Sequence, residues 1–177
     1  ESLGGGMVLA RDLSKGKTDL IEENKARYGT KNLTVEQWDA LKPDERLFGK
    51  ADVVIADLPC SGIGILAKKP DIRFHMTQKA QKELSELQRN ILSAVHRYVK
   101  PGGVLMYSTC TINKEENEEN AAYLCRQFGF KIEPLENMLP EPLKNEVSAD
   151  GTLQLLPGVH ECDGFFIAKC RKVSQSV

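Results

Sequence analysis

The sequence lacks several features that would place it directly in a class. No apolar run approaches the roughly 20 residues that a membrane-spanning helix needs. The 24 Lys and Arg residues nearly balance the 25 Asp and Glu residues, and the formal net charge of −1 offers no overall attraction for nucleic acid. Any role on RNA therefore requires a local basic patch or a basic partner domain.

The cysteines and histidines form no metal or disulfide pattern. The five cysteines are an odd number and include no Cys-x-x-Cys or Cys/His spacing typical of zinc. The three histidines, His75, His96 and His160, share no metal or triad spacing. Reduced thiols in a cytoplasmic protein are the simplest interpretation. No metal site is expected.

What the sequence does contain is an alternation of strands and helices. Such alternation predicts an α/β fold, a doubly wound and mostly parallel sheet. We expect one domain over residues 1–172 and a disordered tail over 173–177. No Gly-x-Gly-x-x-Gly motif is present, and Gly4-Gly5-Gly6 precedes a strand, which is more typical of a turn than of a cofactor loop. The expected strands are 7–10, 32–36, 51–56, 104–108, 131–135 and 164–169, and the expected helices are 14–28, 77–98 and 113–128. The continuous apolar, β-branched strand at 51–56 is expected to be buried. The helix at 77–98 carries an apolar stripe at 3- and 4-residue spacing, with Thr77 as its cap and Pro101-Gly102-Gly103 as its end.

Two cysteines follow two of these strands. Cys60 lies in Asp57-Leu58-Pro59-Cys60-Ser61-Gly62-Ile63-Gly64, and Cys110 lies in Ser108-Thr109-Cys110-Thr111. Groups beyond the carboxyl ends of neighbouring strands converge on one crevice, so both thiols could face one ligand. The Ser61-Gly62-Ile63-Gly64 turn after Cys60 is expected to allow a ligand to approach closely. A single free cysteine is more often a small buried apolar residue, but two at adjacent strand ends favour chemistry. The remaining three are interpreted as structural: Cys125, Cys162 and Cys170.

Two acidic residues follow earlier strands. Asp12 is placed to bind a ribose hydroxyl pair, and Asp39 could accept a hydrogen bond from an adenine amino group. Acids at strand ends are also often solvated or capping residues, and both interpretations stay open. The acidic run Glu115–Asn120 is expected to be the solvated face of a helix.

Several motifs, in order, resemble the Sun/Fmu (NSUN-type) RNA cytosine-5 methyltransferases. The Asp57–Gly62 segment resembles the family's Asp-x-Pro-Cys-Ser motif, and Ser108–Thr111 followed by Glu115-Glu116-Asn117 resembles its second cysteine motif. The resemblance covers nearly the whole chain, and within the family is nearest to the bacterial enzymes that modify small-subunit ribosomal RNA. The other matching segments are Lys69-Pro70-Asp71-Ile72-Arg73, Leu87-Gln88, Pro101-Gly102-Gly103 and Asp163–Lys169.

The resemblance implies a Rossmann-like domain that uses S-adenosylmethionine, with RNA as the substrate. It implies that Cys110 is the nucleophile and that Cys60 assists proton removal and enzyme release. Asp57 would hold the target base or the methionine end of the cofactor, and Pro59 would contact the substrate. By the same resemblance, Asp12 binds the ribose and Asp39 the adenine.

One family motif is absent. A Pro-Gly-Gly-Lys cofactor loop, with its preceding strand, should lie upstream of Met7. We therefore expect an N-terminally truncated domain whose first, central strand is missing, with weak cofactor binding and little activity for these residues alone. Two alternatives to an enzyme remain: a non-catalytic Rossmann-type module that binds RNA or protein, and a thiol redox protein using Cys60 and Cys110.

Overall fold

The computed structural model describes residues 5–174. Its residue contacts separate two compact units, one extending to Pro43 and the other beginning at Asp44. Gly5 and Gly6 belong to the described part, and Gly5 is a turn residue with a positive φ of 87°. Gly4 and residues 175–177 of the expected tail lie outside the described residues.

The N-terminal unit is a strand–helix–strand arrangement. Strand β1 (Val8–Asp12) pairs in parallel with β2 (Leu33–Gln37), and helix α1 (Lys15–Tyr28) connects them. Helix α1 ends at Gly29, whose positive φ of 64° is the left-handed conformation that glycine adopts readily. The sequence predicted this helix correctly and placed the second strand within one residue.

The second unit is built on a five-stranded mixed sheet. The order is β3-β4-β7-β5, and β6 pairs with β7. Strands β3 and β4 are parallel, whereas β7 runs antiparallel to β4, β5 and β6. The unit's strands and helices are β3 (Ala51–Asp57), α2 (Ile72–His75), α3 (Gln78–Val95), β4 (Val99–Thr109), α4 (Glu118–Phe128), β5 (Phe130–Ile132), α5 (Glu141–Lys144), β6 (Leu153–Leu155) and β7 (Phe165–Lys172).

The core lies between this sheet and helices α3 and α4. Leu92 of α3, Leu124 of α4 and Leu105 of β4 are fully buried. Thr77 caps α3 with its hydroxyl, which accepts a hydrogen bond of 3.1 Å from Ala80 N. The cap and the apolar stripe of α3 were both predicted from the sequence, because a strong 3.6-residue period is the clearest signal a helix gives.

Three predictions about elements of this unit were wrong. The strand at 51–56 was expected to be buried, but Val53 and Ile55 are 56% and 75% exposed, because they share the face opposite Ala56. The Pro101–Gly103 segment, expected to end a helix, lies inside β4, where the pairing register shifts against β3. The helix expected from Asn113 begins at Glu118, after a run of turns.

Candidate functional site

Cys60 and Cys110 meet at the carboxyl ends of β3 and β4. Strand β3 ends at Asp57, opposite Ser108 of the parallel strand β4, and each cysteine lies just beyond its strand. Their Sγ atoms are 3.3 Å apart, and both residues are half-buried. The convergence of the two thiols on one place, predicted from their strand positions, is confirmed.

Glycine brings the backbones of the two cysteine segments together. Gly64 N donates to the carbonyl oxygen of Cys110 at 3.2 Å, and Gly164 N donates to the Gly64 oxygen at 2.8 Å. A Cβ on Gly64 would lie 2.6 Å from the Gly164 oxygen and 2.8 Å from the Cys110 oxygen, which leaves no room for any side chain. The flexible turn was expected to admit a ligand; here its close approach is to neighbouring protein backbone.

A buried carboxylate holds the loop that carries Cys60. Glu116 is fully buried, and its Oε2 accepts hydrogen bonds from Ser61 N at 2.8 Å and from the Gln88 amide at 3.0 Å. Its Oε1 accepts from the Asn113 amide at 3.2 Å. Within residues 5–174 this carboxylate forms no ion pair, so neutral N–H donors alone compensate its burial.

The acidic run around this residue is therefore not simply a solvated helix face, as was expected. Glu116, Asn117 and Asn120 are all fully buried, while Glu115 and Glu119 are exposed. The expectation failed because the turns before α4 direct Glu116 and Asn117 inward, and Asn120 lies on the buried face of the helix itself.

Gln88 extends the support to the residue before Cys60. Its Nε2 donates to the carbonyl oxygen of Pro59 at 2.9 Å, and its Oε1 accepts from Asn120 at 2.7 Å and from the Tyr107 hydroxyl at 3.2 Å. Burial raises the pKa of Tyr107, so the hydroxyl stays protonated and remains a donor. In the sequence, Gln88 and Glu116 stand out only as parts of motifs. The signal for the buried role of Gln88 was its polar amide within the apolar stripe of α3.

The Cys110 side is fixed by a second set of bonds. Thr111 Oγ1 lies 2.7 Å from the Ser61 hydroxyl, which links the two cysteine segments directly. Asn117 donates to the Thr111 carbonyl oxygen at 3.0 Å and accepts from Thr109 at 2.5 Å. Both cysteines thus lie on backbone that is held on each side, which limits the movement of one thiol relative to the other.

The electrostatics of the pair keep a proton on Cys60. Burial, followed by the hydrogen bond and charge of Cys110, raises the pKa of the Cys60 thiol to about 12. At neutral pH, Cys60 can therefore donate its S–H to the sulfur of Cys110. A thiolate on Cys110 would be stabilised by that donor.

Asp57 and Pro59 lie on the exposed side of the cysteine site. The Asp57 carboxylate accepts a hydrogen bond of 3.1 Å from the Ser108 hydroxyl and is otherwise open to solvent. Pro59 is exposed, with its carbonyl oxygen held by Gln88. Their contact with substrate or cofactor stays a prediction.

Asp12 and Asp39 belong to the N-terminal unit and are described separately from the cysteines. Asp12 ends β1 and Asp39 follows the neighbouring parallel strand β2, and each carboxylate already stabilises a local turn: Asp12 accepts from Ser14 N at 2.8 Å, and Asp39 accepts from Leu41 N at 3.0 Å. The second oxygen of Asp12 lies 3.4 Å from the exposed Lys17 ammonium. A carboxylate oxygen can accept more than one hydrogen bond, so Asp12 can also accept from a ribose hydroxyl; the cofactor roles stay predictions.

Within residues 5–174, no group of three His, Cys, Asp or Glu side chains is arranged to hold a metal ion. No helix of this part of the chain is long and apolar enough to cross a membrane.

The fold places the chain in a class of structures, the Rossmann-like fold of S-adenosylmethionine-dependent methyltransferases. A S-adenosylmethionine-dependent methyltransferase from Aquifex aeolicus, at only 14% identity, matches the fold with a TM-score of 0.55 over 97% of this chain and 71% of its own. This likeness confirms the predicted fold class.

The family follows from closer matches. The model of the family described as 16S rRNA methyltransferase RsmB/F matches residues 4–171, and the chain belongs to this family. Ribosomal RNA small subunit methyltransferase F from Salmonella agona is 32% identical over 176 residues, which are 96% of this chain and 36% of the relative. The homologue from Escherichia coli O6:H1 is 33% identical over 174 residues, with 94% and 35% coverage.

Two solved structures are similar to this chain in both sequence and fold. The crystal structure of PH0851 superimposes with a TM-score of 0.84 at 35% identity, covering 94% of this chain and 37% of that one. NSun6 from Pyrococcus horikoshii, crystallised with SFG, gives a TM-score of 0.77 at 32% identity, with 96% and 42% coverage. The chain thus spans little more than a third of the length of the curated relatives it matches.

The packing of Gly64 gives a direct test of how the site is held. In Gly64→Ala the new methyl group meets two backbone carbonyls, which cannot move as a flexible side chain would, so we expect a loss of about 3 kcal/mol in the free energy of unfolding. Urea unfolding measures this. Gly16→Ala is the matched control, because its Cβ would have only one neighbour, at 3.9 Å. Equal unfolding midpoints for Gly64→Ala and the wild type would contradict the packing argument.

The thiols can be tested by alkylation with iodoacetamide at pH 8, mapped by mass spectrometry. Only a thiolate reacts, so we expect Cys60 to label roughly tenfold or more slowly than the exposed Cys162. In urea the alkylation rates of Cys60 and Cys162 should converge. Equal rates in the native protein would exclude a protonated Cys60.

The raised pKa of Cys60 also makes stability depend on pH. Since the folded protein holds the Cys60 proton more tightly than the unfolded chain does, this contribution to stability is complete below the ordinary thiol pKa of 9.0 and is lost as the pH rises toward 12.

Proposed function

We propose that the protein carrying these residues methylates carbon 5 of a cytosine in RNA, and that the RNA is small-subunit ribosomal RNA. The observation that carries the proposal is the 3.3 Å pairing of two thiols at the ends of parallel strands, within a chain of this methyltransferase family. The names of the curated relatives support ribosomal RNA as the substrate. S-adenosylmethionine supplies an electrophilic methyl group when bound, and Asp12 and Asp39 would hold its ribose and adenine.

In the proposed reaction the Cys110 thiolate adds to carbon 6 of the cytosine. The new S–C bond places electron density on carbon 5, which would then take the methyl group and leave S-adenosylhomocysteine. Solvent water takes the carbon 5 proton, the electron pair of the broken C–H bond returns to the ring, the S–C bond breaks, and Cys110 leaves as a thiolate. The target base must be unpaired or flipped out of a helix to reach the thiol.

The two sulfurs have different surroundings, which supports different roles. Cys60 keeps its proton and lies against Cys110, so we infer that its S–H stabilises the Cys110 thiolate, both when that thiolate attacks and when it leaves as the product is released. The Asp57 carboxylate, exposed at the end of β3, would accept a hydrogen bond from the base. Glu116 and Gln88 are buried and do not contact the substrate; they fix the loop on which Cys60 lies.

The roles of the cysteines are tested in the full-length protein that contains these residues. With RNA carrying 5-fluorocytosine and with S-adenosylmethionine, we expect the wild type to form a covalent protein–RNA adduct and Cys110→Ala to form none. With ordinary RNA, Cys60→Ala should accumulate a methylated adduct, because release is slowed. Denaturing gel electrophoresis measures both.

Cys125→Ala is a matched control, since it removes a half-buried cysteine from α4, outside the two cysteine segments. The reverse pattern, with Cys60→Ala abolishing the adduct, would exchange the two roles. No adduct with either sulfur, despite methylation of the RNA, would exclude the covalent route. Absence of both adduct and methylation would leave the non-catalytic binding module, and rapid thiol oxidation with a redox partner would favour the thiol redox protein.

A further inference from the structure

A basic arm follows the Cys60 loop. We define the arm as residues 66–79, which contain Lys68, Lys69, Arg73 and Lys79 against a single acid, Asp71. The chain as a whole has a formal net charge of −1, so positive charge is concentrated here. Lys68 and Lys79 form ion pairs with Asp163 and Glu83, whereas Lys69 and Arg73 form none within residues 5–174.

The arm also presents an aromatic ring to solvent. Phe74 is 72% exposed, and the Arg73 guanidinium lies over its ring at 4.9 Å from the centroid. A large aromatic side chain left mostly in water is a common feature of binding surfaces. A flat ring with a guanidinium beside it offers a nucleobase two stacking partners, and a guanidinium can also bind phosphate.

The arm is anchored to the cysteine site at two points. Ile72 packs against Gly62, two residues beyond Cys60: a Cβ on Gly62 would lie 3.0 Å from the Ile72 side chain. Lys68 bonds Asp163 at 2.5 Å, next to Gly164, which packs on Gly64. The arm is therefore anchored to the loop that carries Cys60 and to the segment that packs on Gly64.

We propose that the basic arm binds the single-stranded RNA that flanks the target base, with Lys69 and Arg73 on phosphates and Phe74 stacked on a base. This proposal rests on the proposed function for the identity of the ligand. Positive charge alone would suit any polyanion, but the exposed ring favours unpaired bases, because the faces of paired bases are covered by their neighbours. The arm supplies a local basic patch of the kind that a near-neutral chain needs to bind RNA.

The test is a fluorescence anisotropy titration of a labelled single-stranded RNA, with a central cytosine, by the 177-residue chain at several salt concentrations. Phe74→Ala should weaken binding about tenfold and leave the salt dependence unchanged. Lys69→Ala and Arg73→Ala should each reduce the slope of log affinity against log salt by about 0.7, the value for one phosphate contact on a single strand. A duplex of the same sequence should bind more weakly than the single strand.

Two variants are matched controls: Lys131→Ala, an exposed lysine on β5, and Val159→Ala, an apolar side chain with the same 72% exposure as Phe74. Neither should alter affinity or slope. Thermal unfolding should show that the arm variants fold normally, since the side chains removed are exposed.

The proposal is overturned if the chain does not bind the single strand at low salt, if the arm variants bind as the wild type does, or if the duplex binds equally and Phe74→Ala has no effect. The 5-fluorocytosine adduct of the full-length protein separates this outcome from failure of the proposed function. If the arm variants form the adduct normally, RNA binding by the basic arm is refuted and the covalent methylation proposal stands. If the variants lose RNA binding and the wild type forms no adduct, RNA binding by the arm stands and the covalent methylation proposal is refuted.

Discussion

The hydrogen bond between Ser61 N and the buried Glu116 carboxylate is the contact on which the geometry of this site depends. It crosses from the loop after β3 to the turns after β4, and so joins the two segments that carry the thiols. A carboxylate out of water costs free energy unless its oxygens accept hydrogen bonds, and Gln88 and Asn113 supply the others. Any movement of the loop would break this compensation, so the buried charge favours one position of Cys60.

Support and reactivity are therefore divided between two sides of the site. On the buried side, amides, hydroxyls and the glycine contact at Gly64 hold backbone, and Tyr107 and Gln88 have no access to solvent. On the open side, Asp57 and the basic arm are exposed to whatever binds. Fixed polar groups behind a reactive pair reduce the reorganisation needed during a reaction, which is how preorganised sites lower a barrier.

Much of this arrangement could be predicted from the sequence, because it depends on local signals. The helix at 78–95 has a strong apolar period and a threonine cap, and Cys60 and Cys110 each follow a short apolar strand, so the meeting of the thiols follows from parallel pairing. The burial of Glu116 could not be predicted, since acidic runs are usually solvated and two of its three donors are 28 and 55 residues away in the chain. The exposure of Val53 and Ile55 was missed because an apolar run does not show which of its faces is covered.

The most direct test is the identity of the methylated nucleoside. Full-length protein would be incubated with small-subunit ribosomal RNA and S-adenosylmethionine carrying a radiolabelled methyl group, and the RNA digested to nucleosides for chromatography. We expect the label to elute as 5-methylcytidine, since carbon 5 becomes nucleophilic when Cys110 adds to carbon 6. Label in a ring-nitrogen, amino or ribose methyl group would contradict the covalent cysteine chemistry, because those positions need no such adduct.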